Sequence, residues 1–191
     1  PAKGDGKYRG GRNGMIPAEQ TVGYNTYDFT SDLGPRFSPS LMNTNPLIVM
    51  YAAEAYFLRA EGALNGWNMG GTAQELYEKG IETSMRTWGI NDAAVISKYI
   101  NGTSLPIAPA PENGWNTPPL TDIPVKFSSI PEKQREQIGT QKWLAIYPSD
   151  MEAWAEMRRT GYPKMYPLIH SDNDDMPKDK MIRRIVFTNK D

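Results

Sequence analysis

The sequence predicts an all-α fold in which paired helices are joined by long ordered loops. Apolar residues recur at helical spacing in several separate stretches, and residues that favour helix ends bound those stretches. The 16 prolines, 17 glycines and ten tyrosines indicate long ordered connections between the helices. Apolar residues make up 39% of the chain and charged residues 23%, a balance that excludes a disordered protein.

The first helix is predicted to begin at Asn45-Pro46. Asn is a good N-cap, and Pro in the first helical position loses no hydrogen bond. The residues that follow helical spacing are Leu47, Ile48, Tyr51, Ala55 and Leu58. Asn65-Gly66 supplies a left-handed stop, and small alanines along the helix allow a neighbour to approach closely.

The second helix is predicted to begin after Thr72, because Thr72 and Glu75 form a capping box that satisfies two backbone donors reciprocally. It ends at Gly89, and one side carries Leu76, Tyr77, Gly80, Ile81, Ser84, Met85 and Trp88. A short Gly-rich turn between two such helices predicts antiparallel packing. The pair resembles a unit of the tetratricopeptide type.

Three further helices are predicted along the remaining chain. They cover about 92–100, 131–147 and the stretch from Ser149 to Gly161, where Ser149 and Glu152 match a second capping box. The middle one should bury a face of Ile138, the Lys142 stem, Ala145 and Ile146. Residues 101–128 carry six prolines and are predicted to form a long loop at the surface. Residues 185–187 are predicted to be a short strand or an extended tail.

Composition excludes several kinds of chemistry. The formal net charge is -1 and no basic stripe is visible, so nucleic acid is not an expected partner. Without cysteine, the chain has no disulfide, thiolate metal site or thiol nucleophile. No apolar run is long enough to cross a bilayer. The chain opens on Pro1 rather than Met, and we expect it to be a piece of a longer precursor.

Two stretches resemble a known family. Residues 47–67 read LIVMYAAEAYFLRAEGALNGW and are followed by YEKGI at 77–81; residues 140–147 read TQKWLAIY and are followed by EAW at 152–154 and RRTGYP at 158–163. They are similar to the paired helices of the SusD/RagB superfamily, in its SusD-like branch. The chain departs from the family at Gly62, where Ala is frequent, and at 181–191, where arginines occur without the expected Tyr-Pro.

The resemblance implies an all-α, SusD-like fold with tetratricopeptide-like helix pairs. It implies that residues 1–191 are the C-terminal portion of a single SusD-like domain, truncated at both ends. It further implies a non-catalytic lipoprotein of the outer membrane's extracellular face, anchored through an N-terminal lipid. Such a protein binds a glycan or another nutrient, starch among them, and delivers it to a SusC-type TonB-dependent transporter, without a cofactor.

Loop aromatics and amides are the candidate ligand contacts. Trp115 lies in Asn113-Gly-Trp-Asn116, where an indole face can stack on a sugar ring and amides can bond hydroxyls. Trp67, Tyr24 and Tyr27 are further candidates outside helices. A loop anchored by a buried Trp is the competing interpretation. Trp88, Trp143 and Trp154 follow helical positions and are expected in the core.

The charged residues are expected to stabilise the fold. Glu54 and Glu61 are seven residues apart, about 10 Å along a helix, which is at the wide limit for a glycosidase carboxylate pair. We expect both to bond neighbouring elements, and one of Arg158 and Arg159 to pair with a carboxylate.

Other motifs give no catalytic or metal site. His170 is expected at the surface and the acidic run 172–175 as a solvated turn. The alternative function is a helical-repeat scaffold that binds a protein or peptide; a glycoside hydrolase fragment has no support in the sequence.

Overall fold

The computed structural model describes residues 8–37, 48–109, 117–172, 176–177 and 180. Within these residues the secondary structure is helical. The α-helices are α1 (Pro17–Gln20), α2 (Ala52–Leu64), α3 (Ala73–Thr87), α4 (Ala93–Ile100), α5 (Pro131–Ala145) and α6 (Asp150–Thr160). Single 3-10 turns cover Gly23–Asn25, Tyr27–Phe29 and Pro35–Phe37. The predicted all-α class is therefore confirmed for the described chain.

The chain divides into two units. One consists of 48–107 and 119–165 and contains α2 to α6; we call it the helical unit. The other consists of 1–47, 108–118 and 166–191 and contains α1 and the three 3-10 turns; we call it the terminal unit. The single SusD-like domain expected for 1–191 stays a prediction.

Helices α2 and α3 form the centre of the helical unit. The capping box predicted at Thr72 is present, with Glu75 N–H donating to the Thr72 hydroxyl and the Glu75 carboxylate accepting from Thr72 N–H. The connection between the two helices has eight residues, which is short enough for the antiparallel packing that the sequence predicts. A Cβ at Gly80 would lie 2.8 Å from the Phe57 ring, so this glycine allows the close approach of the two helices.

The core of the helical unit lies between α2, α3 and α5. Tyr77 is fully buried, its ring contacts Phe57 and Phe127, and its hydroxyl donates to the Val125 carbonyl at 2.7 Å. The core cluster comprises Ala53, Phe57, Ala60, Leu76, Tyr77, Ile81, Ile138 and Ala145. The predicted buried face of α3 is thus confirmed for its first half, whereas Ser84, Met85 and Trp88 are half-buried.

The predicted start of the first helix is wrong. Asn45 and Pro46 lie outside the described residues, but 48–50 are not helical and Tyr51 is the N-cap of α2. Val49 is 92% exposed and Met50 59%, so within the described part of the chain these two residues have little packing to hold them in a helix. The predicted face is right for Tyr51, which is buried, but wrong for Ala55 and Leu58, which are exposed. Ala53, Phe57 and Ala60 are buried in their place. A helix apolar on most sides does not reveal its inner face.

Helix α5 buries the face that the sequence predicts. Ile138, Lys142, Ala145 and Ile146 are all buried. The capping box predicted at Ser149 is wrong: Ser149 is the N-cap of α6, but its side chain makes no capping hydrogen bond. Asp150 accepts from Met151 N–H instead.

The second half of the Pro-rich stretch 101–128 is fixed against α5. The Gln137 amide donates to the carbonyls of Pro124 and Lys126, each at 2.8 Å, and accepts from Ser128 N–H at 2.9 Å. Ile123 is 7% exposed. The described parts of this stretch contain no helix between residues 102 and 130, and residues 110–116 lie outside the description.

The three tryptophans expected in the core lie at its border. Trp88, Trp143 and Trp154 are half-buried rather than enclosed. The Trp88 ring centre lies 6.3 Å from that of Tyr147, and the Arg158 guanidinium lies over Trp154 at 4.3 Å. Their rings are wide enough that one edge stays in contact with solvent.

The terminal unit brings 12–20 against 166–170. His170 Nε2 lies 3.0 Å from a Glu19 carboxylate oxygen, and hydrogen bonding to His170 holds the pKa of Glu19 below its ordinary value. Arg12 donates to the Pro167 carbonyl and lies over the Tyr166 ring. His170 is therefore half-buried rather than on the open surface. Residues 173–175 of the acidic run and the tail 185–187 lie outside the described residues.

Candidate functional site

The sequence-predicted ligand residues fall into three groups. Asn113, Trp115 and Asn116 lie outside the described residues, so their role stays a prediction. Tyr24 and Tyr27 belong to consecutive 3-10 turns of the terminal unit, and the Tyr24 side chain is likewise outside the description. Trp67 belongs to the helical unit. Tyr24 and Tyr27 therefore lie in one unit and Trp67 lies in the other.

Trp67 is the candidate whose surroundings are best defined. It follows α2 through a Schellman motif, in which Trp67 N–H donates to the Gly62 carbonyl at 3.0 Å and Gly66 N–H to the Ala63 carbonyl at 3.0 Å. Gly66 has φ +80°, a left-handed conformation that favours glycine. The motif fixes the point where Trp67 leaves the helix, so the predicted stop at Asn65-Gly66 also positions the indole.

Gly62 lets the loop close over the end of the helix. A Cβ at this position would lie 2.7 Å from the Met69 sulfur and 3.3 Å from the Trp67 ring. The family's frequent Ala would therefore require the Met69 side chain to shift. The departure at Gly62 is explained by this contact, and we name residues 62–70 the Trp67 corner.

Two arginines hold the Trp67 corner. Arg59 donates to the Met69 carbonyl through Nε at 3.0 Å and Nη2 at 2.7 Å. Arg135 of α5 donates through both terminal nitrogens to the Asn65 amide oxygen at 3.2 Å. Sequence reasoning missed both supports. The two arginines bond partners ten and 70 residues away in the sequence, so no local pattern indicates either contact.

The indole of Trp67 is 63% exposed while its backbone is fixed. An exposed aromatic face on a rigid turn can stack on the CH face of a sugar ring. Tyr27 is 71% exposed, and its hydroxyl is hydrogen-bonded to Asp32, which raises the Tyr27 pKa. Both residues therefore have the exposure that a ligand contact needs.

A buried ion-pair network joins three helices of the helical unit. Lys142 of α5 is 5% exposed and lies 3.3 Å from Glu54 of α2 and 2.9 Å from Glu156 of α6. Arg159 of α6 forms a two-pronged pair with Glu61 of α2, each contact at 2.6 Å, and also bonds Glu156. The expected contacts of Glu54, Glu61 and Arg159 with neighbouring helices are confirmed.

Within this network, the pair between Glu61 and Arg159 favours the charged form of both groups. The hydrogen bond from Arg159 holds the pKa of Glu61 below its ordinary value and in turn raises that of Arg159. A general acid needs the opposite shift, toward a raised carboxyl pKa. A cavity of about 190 Å³ opens beside Glu61 and Arg159. Of its charged side chains, Glu61, Glu156 and Arg159 are ion-paired with one another, and Arg135 bonds the Asn65 amide oxygen.

The segment after α6 is fixed to α5 in a similar way. Lys164 pairs with Glu136 at 2.8 Å, and Thr121 also donates to that carboxylate. The Tyr162 hydroxyl bonds Glu132, which raises the Tyr162 pKa to about 12. Tyr162 near the end of the RRTGYP stretch and Lys164 just after it therefore attach this segment to α5.

Neither a membrane span nor a metal cluster is found among the described residues. Each helix there is too short or too polar to cross a lipid bilayer. The described residues also contain no group of three or more His, Asp or Glu side chains arranged to hold a metal ion.

The chain belongs to the SusD-like family, described as Susd and RagB outer membrane lipoproteins, whose model matches residues 2–191. The two stretches that carry the resemblance are the ones that the ion-pair network joins. Tetratricopeptide-like helix pairs are the fold of this family, so the predicted fold class is confirmed.

Solved structures agree with this assignment. A chitin-binding SusD homologue from Flavobacterium johnsoniae is 41% identical, with a TM-score of 0.64, over 74% of this chain and 30% of that one. A SusD homologue from Bacteroides vulgatus is 34% identical, with a TM-score of 0.71, over 85% of this chain and 33% of that one. One from Bacteroides thetaiotaomicron is 36% identical, with a TM-score of 0.67, over 74% and 30%.

The chain thus spans about a third of the length of these structures. No match was found among curated protein sequences.

Proposed function

We propose that this chain is part of a non-catalytic, lipid-anchored protein on the extracellular face of the outer membrane. The protein captures a glycan or another nutrient and delivers it to a SusC-type TonB-dependent transporter. The observation that carries the proposal is the match of the outer membrane lipoprotein family over residues 2–191.

A glycan is favoured as ligand by one relative and by the chemistry of the Trp67 corner. The Flavobacterium johnsoniae homologue, 41% identical to this chain, is a chitin-binding protein. In this chain an exposed indole on a rigid turn offers a surface for stacking against sugar CH groups. Recognition would be shallow, with stacking supplemented by hydrogen bonds from loop amides such as Asn113 and Asn116.

The electrostatics of the ion-pair network support a binding role over hydrolysis. Glu61 has a lowered pKa because Arg159 stabilises its charged form, and Glu54 and Glu156 share the Lys142 cation. Hydrolysis of a glycoside requires one carboxyl group that keeps its proton near neutral pH.

The ligand class is tested by calorimetric titration of the purified protein with neutral oligosaccharides, including chitin and starch fragments, and with peptides. We expect saturable binding of at least one oligosaccharide, with an unchanged sugar chain recovered afterwards. Tight peptide binding without any saccharide binding would support the helical-repeat scaffold and overturn the glycan assignment.

The role of the Asn113–Asn116 loop is tested with Trp115→Ala. If Trp115 stacks on the ligand, the variant should bind the same oligosaccharide roughly fivefold to tenfold more weakly, since an aromatic stacking contact contributes on the order of 1 kcal/mol. Unchanged affinity would remove this loop from the site.

Delivery to a transporter is tested by affinity purification from membranes of the producing bacterium. The tagged protein should retain a TonB-dependent transporter through detergent extraction. Recovery without any such transporter, under conditions that preserve known outer-membrane complexes, would contradict the partnership.

A further inference from the structure

A cavity of about 270 Å³ lies beside α5 in the helical unit, and it shares no residue with the Trp67 corner. It is lined by the two limbs of the Pro-rich stretch, 104–106 and 121–125, and by residues of α3 and α5. Its lining residues are Tyr77, Ser104, Leu105, Pro106, Thr121, Ile123, Pro124, Val125, Gln137, Thr140 and Gln141.

Hydrogen bonds within the protein hold the second limb of this cavity in place without a ligand. All three hydrogen bonds of the Gln137 amide go to the backbone of 124–128, and the Tyr77 hydroxyl bonds the Val125 carbonyl. Lys126 N–H also donates to the Gly102 carbonyl at 2.9 Å, which ties the two limbs together. A preformed cavity lowers the ordering cost of binding.

The lining contains no Asp, Glu, Lys or Arg side chain. A charged ligand would therefore lose hydration without gaining a counter-charge. Leu105, Pro106, Ile123 and Val125 give the cavity a largely apolar wall. These features select a neutral ligand that presents one apolar face.

Polar groups at the edge of the cavity have unused hydrogen-bonding capacity. Within the described part of the chain, the hydroxyls of Ser104 and Thr140 make no side-chain hydrogen bond. The Gln141 amide has one side-chain partner there, the Tyr99 hydroxyl at 3.2–3.3 Å, which does not use all its donors and acceptors. Two hydroxyls and an amide can therefore bond a ligand that carries hydroxyl groups.

We propose that this cavity is a second ligand site, which takes one neutral sugar ring. This inference rests on the proposed glycan-binding function and adds a site for a single residue of the ligand. The volume lies just below the roughly 300 Å³ at which drug-sized pockets begin, so it accommodates one ring rather than an oligomer. The apolar wall faces the CH groups of the ring, while Ser104, Thr140 and Gln141 bond its hydroxyls.

The site is tested by methyl-detected NMR titration of the purified protein with glucose and N-acetylglucosamine. The methyl signals of Leu105, Ile123 and Val125 should shift with a dissociation constant on the order of 1 mM, as expected for a ligand of about 12–15 heavy atoms. Ile107, which is 86% exposed and not in the lining, should not shift. Glucosamine and glucuronate, which are charged sugars of similar size, should produce no shift at these methyl groups.

A double variant tests the hydroxyl contacts. Ser104→Ala with Thr140→Val should weaken binding of the neutral ring by roughly tenfold, since each lost hydrogen bond reduces affinity about threefold or more. The matched control is Thr83→Val, another helical threonine, whose hydroxyl bonds the Lys79 carbonyl of its own helix. The control should bind the ring like the parent protein, and melting curves should show all variants folded.

Absence of methyl shifts in the parent protein, or equal affinity of the parent and the double variant, would overturn the cavity assignment. Trp67→Ala separates this failure from failure of the proposed function. If oligosaccharides bind and depend on Trp67 while single rings leave the cavity unaffected, glycan binding stands and the second site falls. If no saccharide of any length binds, both fall.

Discussion

Trp67 combines a fixed backbone with an exposed ring. The Schellman motif and the glycines at 62 and 66 fix its position, and Arg59 holds the loop beyond it. Because the ring is 63% exposed, its removal should have little effect on folding. Substitution of Trp67 can therefore change ligand binding without changing stability, so it tests the site directly.

Trp67→Ala should weaken oligosaccharide binding roughly fivefold to tenfold, since an aromatic stacking contact contributes on the order of 1 kcal/mol. Calorimetry measures the affinity, and the melting temperature should change by no more than a few degrees. The control is Trp67→Phe, which keeps a flat ring and should retain most of the affinity. If Ala and the parent residue bind alike, Trp67 is not a ligand contact.

The pair between Glu61 and Arg159 should make stability depend on acid pH. In the folded state Arg159 lowers the pKa of Glu61 below its ordinary value of 4.5, whereas the unfolded chain keeps the ordinary value. The unfolded state therefore binds more protons in this window, and stability rises with pH. The contribution is complete above about pH 4.5 and is lost as pH falls through the folded-state pKa.

Glu61→Gln tests this linkage through unfolding curves between pH 3 and 7. The variant should show a shallower loss of stability on acidification than the parent, because position 61 no longer titrates. Identical pH profiles would show that the Arg159 pair does not contribute to acid sensitivity.

At the scale of single helices, two glycines allow close contacts of different kinds. A Cβ at Gly80 would meet the Phe57 ring at 2.8 Å, and that ring is fully buried and cannot move aside. A Cβ at Gly62 would meet the Met69 thioether at 2.7 Å, which is the end of a flexible side chain. The two positions therefore differ in how easily the neighbour can move.

Gly80→Ala should destabilise the protein by up to about 2 kcal/mol, because an overpacking cost of about 1–3 kcal/mol outweighs the gain in helix propensity of about 1 kcal/mol. Gly62→Ala should change stability by less, because Met69 can shift. Denaturant unfolding of both variants checks the difference. Equal effects, or a more stable Gly80→Ala, would show that Phe57 has room to relax.

The N-cap residues of α3 and α6 allow a second comparison between two similar positions. Thr72 makes both side-chain bonds of a capping box, while Ser149 makes none. Thr72→Ala should therefore destabilise the protein by about 1 kcal/mol, and Ser149→Ala should have a much smaller effect. Thermal melting of the two variants distinguishes them; equal losses would mean that Ser149 caps α6 in solution.

The C-terminal ends of helices can be predicted from the sequence better than their buried faces. Gly66, Gly89 and Gly161 were each predicted to end a helix, and each has a positive φ just past a helix end. A left-handed residue is a local requirement that one residue type satisfies best. The start of α2 and its buried face depend on which neighbours are present, and an alanine-rich helix does not encode that choice locally.

The candidate site was less predictable than the fold. The sequence identified Trp67 as a residue outside a helix, but not the bonds from Arg59 and Arg135 that fix the Trp67 corner. It also gave no sign of the cavity beside α5, whose residues are contributed by four separate stretches. Neutral hydroxyl and amide residues have no characteristic spacing, so their convergence appears only once the chain is folded.

Across the whole helical unit, Lys142 connects the two stretches by which the family is recognised. It lies on α5 and contacts Glu54 of α2 and Glu156 of α6, and all three side chains are almost fully buried. Arg159 repeats the connection from α6 to Glu61 near the other end of α2. The two motifs therefore stabilise one another as parts of a single charged network, which explains why they occur together.

Lys142→Met should destabilise the helical unit by about 3–5 kcal/mol, because it leaves the buried Glu54 carboxylate without a cation and Glu156 with Arg159 alone. Adding Glu54→Gln and Glu156→Gln to Lys142→Met should recover part of this loss, since the buried negative charges that Lys142 balanced are then removed. Chemical denaturation of the single and triple variants measures the recovery. If the triple variant is no more stable than Lys142→Met, the loss comes from packing around the Lys142 stem, and the network is not held together by its charges.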